Sequence, residues 1–216
     1  MSTPTIVNQK ELDKANAIFW NEACGTHLAN RTNTVNDYKS FDKAYFKQYP
    51  FLKRYLDKFS GDVLEIGTGY GTVATYLDKK CYYYACDIAA RPIEILKERG
   101  LTNFNFSWQQ SILDLSHKYV GFDGVVSIGC LHHTGNIPRS IKKIYRLLIP
   151  GGRALIMLYN ADAKRPAVDI DTKGNKAPHI EYTSLSDLPG LFDNFSEWAA
   201  QVENGQNKDI YIEAVK

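Results

Sequence analysis

The stretch Val63-Leu64-Glu65-Ile66-Gly67-Thr68-Gly69-Tyr70-Gly71-Thr72 decides the reading of this chain. A mostly apolar, strand-like run passes directly into three glycines at alternate positions, and helix-compatible sequence follows. Glycine lets the chain turn tightly and lets backbone approach a ligand where a Cβ would stand in the way. The helix start behind the turn offers N–H groups that have no partner within the helix. A dinucleotide fingerprint would read G-x-G-x-x-G/A. Here the third glycine comes one residue early, and Thr72 holds the position of the third small residue.

Working outward, apolar, β-branched or aromatic runs recur at residues 63–66, 81–86, 104–108, 122–128 and 154–159, with helical patterns at 72–79, 92–99 and 138–148. This alternation predicts an α/β domain with a largely parallel sheet covered on both faces. In the last of these helices Ile137, Ile141, Ile144 and Leu148 form one stripe, while Arg139, Lys142, Lys143 and Arg146 fall mostly on the opposite, solvated side. A helix near 184–192 and strands at 197–202 and 210–215 close the chain. Between Tyr159 and Tyr182 runs a polar connection of about twenty residues, a length typical of functional lids or disordered segments.

Ahead of the sheet, residues 8–22 have helix-forming composition, with Leu12, Ala15, Ile18 and Phe19 at helical spacing and an expected end near Gly25. A second helical stretch, 37–59, is interrupted at Pro50 and is dense in rings, from Tyr38 and Phe41 to Tyr55 and Phe59. Most of these rings are expected to pack on a core, and a minority to line a pocket. The chain therefore reads as an N-terminal helical cap over residues 1–60 and an α/β domain over 61–216, together one compact unit.

Composition bounds the function. The 216 residues are 44% apolar and 23% charged, which excludes disordered and fibrous classes. Lys and Arg total 26 against 24 Asp and Glu, and a formal charge of +2 gives no footprint for a nucleic-acid backbone or an anionic membrane. Neither partner is expected. No apolar run approaches the ~20 residues of a spanning helix, and the polar start has no secretory pattern. Cys24, Cys81, Cys86 and Cys130 form no CxxC pair. They read as free thiols, with a cytoplasmic location and no metal site expected. Nothing in the sequence marks an oligomeric state.

Four segments, in order, carry a family resemblance. Glu65 with Gly67, Gly69 and Gly71 reads E-x-G-x-G-x-G, and Asp87-Ile88 stands twenty residues after Gly67. Phe122-Asp123-Gly124-Val125-Val126 leads to Leu131-His132-His133, and Arg146-Leu147-Leu148-Ile149-Pro150-Gly151-Gly152 precedes the fifth strand. Over about residues 60 to 160 the chain resembles class I S-adenosylmethionine-dependent methyltransferases of the small-molecule, UbiE-like (methyltransferase type 11) group. The resemblance implies a Rossmann-like, doubly wound seven-stranded sheet, mostly parallel with an antiparallel last strand. It also implies S-adenosylmethionine as cofactor, S-adenosylhomocysteine as its product, and no metal.

Carried over residue by residue, Glu65, Gly67 and Gly69, with Thr68 in the same loop, would cradle the methionine end of the cofactor. Asp87 would bind the ribose and Ile88 would lie against adenine. Ser111 and Ile112 stand where the family often has Asp-Ala beside the adenine edge, and Ser111 departs from that pattern. Gly129 and Cys130 would run beside the methionine moiety. The implied reaction is in-line transfer of a methyl group to an O or N atom of a small-molecule acceptor, in which alignment does most of the work. An alcohol or ammonium acceptor must also lose a proton, and His133 is the candidate base. Tyr38, His132 and Tyr159 are candidate substrate contacts.

Trp20-Asn21-Glu22-Ala23-Cys24-Gly25-Thr26 resembles a W-x-x-x-CGT segment of one subset of the family. The N-terminal helices and the lid are expected to build the substrate walls, with Lys164, Arg165, Lys173 and His179 available to an anionic acceptor. The N/D-P-P-Y/W motif of nucleobase and protein-amide methyltransferases is missing, since Ile128-Gly129-Cys130-Leu131 stands in its place. Glycine spacing disfavours an NAD-dependent oxidoreductase. A peptide or protein methyltransferase and a non-catalytic cofactor-binding protein are the remaining alternatives.

Overall fold

The computed structural model describes residues 8–31, 35–116, 121–163, 170–171, 173–203 and 208–216, without the side chains of residues 25–37. Seven strands form one sheet: β1 (Gly61–Ile66), β2 (Cys81–Asp87), β3 (Phe104–Gln109), β4 (Phe122–Ser127), β5 (Leu148–Leu158), β6 (Glu197–Val202) and β7 (Ile210–Val215). Their order is β3-β2-β1-β4-β5-β7-β6. The strands from β3 to β5 pair in parallel, and β7 inserts antiparallel between β5 and β6. Strand order reverses between β1 and β4, which places the ligand crevice of such a sheet beyond their carboxyl ends.

The period-two alternation of the strands sends neighbouring side chains to opposite faces. On one face Leu64, Ile66, Val125, Ile156 and Ile212 pack under α6 (Ile137–Leu147) through Ile137, Ile141, Ile144 and Leu147. On the other, Val63, Tyr83, Val126, Leu155 and Tyr211 meet α3 (Leu52–Leu56), α4 (Thr72–Leu77) and α5 (Ala90–Glu98). Burying each such aliphatic side chain contributes about 1.5–3 kcal/mol relative to leaving it exposed. The N-terminal rings join this second layer: Tyr55 stacks on Tyr211 with interplanar angle 5°, and Phe46 meets Tyr76 at 5.3 Å between centroids.

Several sequence expectations require correction. Helix α1 spans Gln9–Arg31 and runs through Gly25. An interior glycine costs about 1 kcal/mol, which is small beside the burial of Leu12, Phe19 and Cys24 along α1. The buried stripe of α1 uses Asn16, whereas Ile18 is 65% exposed. Residues 37–59 form α2 (Val35–Gln48) and α3, broken at the Tyr49-Pro50 turn. Strand β5 begins at Leu148, before the Pro-Gly-Gly turn, with a register shift opposite Phe122 and Gly124. The closing helix shrinks to a 3-10 turn, Leu185–Asp187, followed by the one-turn α7 (Leu188–Leu191). Lys143 leaves the solvated side of α6: it is buried and donates to the Leu115 carbonyl at 2.8 Å. No described helix is long and apolar enough to cross a membrane.

Candidate functional site

At the carboxyl ends of β1, β2 and β4 lies a cleft of about 900 Å³, mouth included, walled on one side by Asp13, Asn16 and Trp20 of α1. Its floor is the glycine turn. Gly67 N–H donates to the Cys86 carbonyl at 2.8 Å and Gly71 N–H to the Thr68 carbonyl at 2.8 Å, so the turn is fixed by its own backbone. At Gly69 φ is +50°, and a Cβ there would meet nothing within 4 Å. Gly71, with φ +69°, is a different case, because its Cβ would fall 2.8 Å from Leu96 Cδ2 and 3.0 Å from Arg99 Cδ. The two glycines answer to separate needs: Gly69 keeps an open approach for a ligand, and Gly71 makes room for an arginine.

That arginine binds the helical cap to the turn. Arg99 Nε donates to the Tyr70 carbonyl, and its Nη atoms donate to the two carboxylate oxygens of Asp42 at 2.9 and 3.1 Å. The guanidinium also lies 4.5 Å from the centre of the Tyr38 ring.

Asp87 ends β2 inside the cleft. Its Oδ2 accepts from Thr68 N–H at 2.9 Å and its Oδ1 from Ala89 N–H at 2.9 Å. Burial raises its pKa to about 6, against the opposing pull of these N–H groups. Glu65 is also buried and accepts from Tyr83 O–H at 2.6 Å. Burial pushes it up to about 8, so it is mostly protonated at neutral pH. Burial also raises the Cys24 and Cys130 thiols, the latter to about 12, which leaves neither as a thiolate nucleophile.

His133 reaches the cleft from the Leu131–His133 turn after β4. Its Nδ1 lies 2.8 Å from the His179 carbonyl. A carbonyl only accepts, so Nδ1 carries the hydrogen and, in the neutral ring, Nε2 holds the basic lone pair. The turn is held from two sides. Asn16 Nδ2 donates to the His133 carbonyl at 2.8 Å and Gln9 Nε2 to that of Thr134 at 2.9 Å. Glu181 N–H donates to the His132 carbonyl at 2.8 Å. Trp20 packs on the His133 ring with centroids 4.8 Å apart.

Of the residues expected from sequence, Gly67, Gly69, Asp87, Ile88, Ser111, Ile112, Gly129, Cys130 and His133 all line this cleft, as does Cys24. Glu65, Thr68, Tyr38, His132 and Tyr159 are not among its walls. Glu65 points into the sheet toward Tyr83, and Thr68 meets Asp87 through its backbone. Tyr38 packs with the cleft walls Cys24, Trp20 and Tyr70 and donates to Glu98 at 2.8 Å. His132 is fully buried and stacks on Tyr159 with centroids 3.4 Å apart. Lys173 pairs with Glu22 of α1 at 3.2 Å, while Lys164 and Arg165 lie outside the described residues.

The polar wall residues Asp13, Asn16, Tyr70, Gln110 and Thr134 had no sequence assignment, nor had Pro92. Asn16 carried a readable signal, a polar side chain spaced with Leu12 and Phe19 on the buried face of α1. Among the described walls there are two carboxylates, Asp13 and Asp87, and no lysine or arginine. Such a lining favours a cationic ligand.

Probable tRNA methyltransferase 9B of Bos taurus is 28% identical over 158 residues, covering 69% of this chain and 34% of that protein. Arginine-hydroxylase NDUFAF5, mitochondrial, of Mus musculus is 27% identical over 137 residues, covering 59% and 39%. The chain thus spans little more than a third of the length of these curated relatives. Among solved structures, the DhpI-SAH complex superposes with a TM-score of 0.69 at 18% identity, covering 94% of this chain and 96% of that one, a likeness of fold. Residues 39–195, most of the chain, match the family described as "Methyltransferase domain", and the chain belongs to that family.

Proposed function

We propose that the cleft binds S-adenosylmethionine and that the chain transfers its methyl group to an O or N atom of a small-molecule acceptor. The observation that carries this reading is the charge of the described walls, two carboxylates with no lysine or arginine, around an open glycine turn. A sulfonium cation suits that lining, and the fit extends to the second strand, where Asp87 presents a carboxylate able to accept ribose hydroxyls. When bound, S-adenosylmethionine supplies an electrophilic methyl group.

The rest of the work falls to this chain. Gly69 leaves room for the methionine end, while Gly67 makes room for Cys130; Ile88 and Ile112 would offer apolar contact to the base, and Ser111 would stand near its edge. Trp20 and the other α1 residues that wall the cleft would limit water at a bound ligand. His133, whose Nδ1–H is donated to the His179 carbonyl, would offer its buried Nε2 as the proton acceptor for a hydroxyl or ammonium group brought against it.

The likeness to probable tRNA methyltransferase 9B supports a second reading, in which the acceptor is RNA. One experiment separates the two. The protein is incubated with methyl-labelled S-adenosylmethionine and, in separate arms, a low-molecular-weight metabolite extract and bulk tRNA. Protein-dependent label in the metabolite arm is expected, and label in tRNA alone replaces the small-molecule acceptor with RNA. No label in either arm, together with no binding of S-adenosylhomocysteine, overturns the proposal.

A further inference from the structure

One residue beyond Ile112, which lines the cleft, Leu113 lines a second and smaller pocket of about 360 Å³, mouth included. Its other walls are four cations of α6: Arg139, Lys142, Lys143 and Arg146. Positions i, i+3, i+4 and i+7 share one helix face, and like charges at those spacings repel. Arg139 also stands in the first turn of α6, where the helix dipole disfavours a cation. None of the four forms an ion pair with a carboxylate among the described residues.

A solvated basic face, the expectation from sequence, would keep its charges in water. Lys143 does not, being 9% exposed with Nζ donating to the Leu115 carbonyl at 2.8 Å. Arg139 Nη2 lies 3.4 Å from the Leu113 carbonyl. Backbone carbonyls thus hold two cationic heads at the pocket, and for the buried Lys143 this carries a desolvation cost that no described carboxylate offsets by direct pairing. Burial, then the charges of Arg139 and Arg146, hold the Lys143 ammonium below its ordinary pKa, with Asp114 acting the other way. An anion seated among the four would relieve the repulsion and accept charge-assisted hydrogen bonds from several of them, chemistry that suits a phosphate.

We propose that this pocket is an anion site that takes a phosphate group, carried either by a free phosphorylated molecule or by a phosphodiester backbone. None of its walls belongs to the cleft, so the site stands independently of the cofactor reading.

The test titrates the full chain at low ionic strength with inorganic phosphate, pyrophosphate and a short single-stranded RNA. S-adenosylhomocysteine is titrated in parallel. Pyrophosphate binding is expected, weakened about tenfold or more in the Lys142→Ala/Arg146→Ala variant, as loss of charge-assisted hydrogen bonds requires. Both substituted residues are exposed, so this variant keeps its fold where Lys143→Met risks it. RNA binding tighter than pyrophosphate, with a salt slope that shrinks in the variant, identifies a phosphodiester source. Pyrophosphate binding with no gain for RNA identifies a free phosphorylated ligand. No binding of any of the three, or binding that the variant leaves unchanged, overturns the proposal. Retained pyrophosphate binding without S-adenosylhomocysteine binding would count against the cofactor reading alone.

Discussion

Asp87 Oδ2 accepts the backbone N–H of Thr68 at 2.9 Å, so a single carboxylate ties the glycine turn after β1 to the end of β2. Its other oxygen takes the Ala89 N–H, at the entry to α5. Oδ2 also takes the Gly69 N–H at 3.5 Å, so a ligand hydroxyl would share a carboxylate that already fixes the loops around it. Asp87→Ala should therefore weaken S-adenosylhomocysteine binding by about 1.5–3 kcal/mol, the worth of a charge-assisted hydrogen bond. In the native protein, binding should also weaken as pH falls through about 6, where the carboxylate protonates. Calorimetric titration at about pH 7.5 and about pH 5, on either side of that value, checks both. Equal affinity in the variant and the native protein would remove Asp87 from the binding site.

The elements that sequence resolves well are local. The glycine turn, Asp87 and the strand-helix alternation are written in consecutive residues, and the fold follows from them. Contacts that depend on distant chain meeting distant chain are harder to read. Asp13 and Asn16 reach the cleft only because α1 docks across the carboxyl ends of the strands. His132 and His133 are adjacent and chemically alike, yet their 3-10 turn sends one ring into a stack with Tyr159 and the other to the cleft. Tyr38 had the right residue type for a pocket wall, but the Glu98 carboxylate and the Arg99 guanidinium hold it elsewhere.

Glu65 makes stability depend on pH. Its folded pKa of about 8 exceeds the ordinary 4.5, because burial disfavours the charged carboxylate. For a raised acid the contribution is complete below the unfolded pKa and is lost as pH rises through the folded one. Stability should therefore decline between about pH 4.5 and pH 8. Glu65→Gln keeps an acceptor for Tyr83 O–H and should flatten that decline. Urea unfolding across this pH range measures it, and identical slopes in the two proteins would contradict the assignment.

Arg99 and Asp42 form a bidentate ion pair whose side chains are only 4% and 12% exposed. Removing one partner of a buried pair leaves a charge uncompensated and costs about 3–5 kcal/mol. Arg99→Ala should lose about that much in denaturant unfolding and should loosen Tyr70, whose carbonyl it holds. Asp42→Ala/Arg99→Ala should lose less than the sum of the single variants, since removing both leaves no orphan charge. Strict additivity would mean that the pair is not coupled.

His133 offers a way to separate positioning from proton transfer. Its Nδ1–H is donated to the His179 carbonyl at 2.8 Å, and its backbone carbonyl is held by Asn16. Asparagine places an amide N–H close to the Nδ1 position but has nothing in place of Nε2. His133→Asn should therefore keep the contact to His179, the fold and S-adenosylhomocysteine affinity while losing the base. General-base catalysis is typically worth about 10²–10⁴ in rate, so kcat should fall within that range. The loss should be largest for acceptors that must shed a proton and smallest for acidic ones such as phenols, which ionise unaided. Measuring kcat and cofactor affinity side by side checks this. Unchanged turnover with a protonated acceptor would reduce His133 to a wall of the cleft, and a fall in cofactor affinity equal to the fall in rate would make it a structural support for the turn.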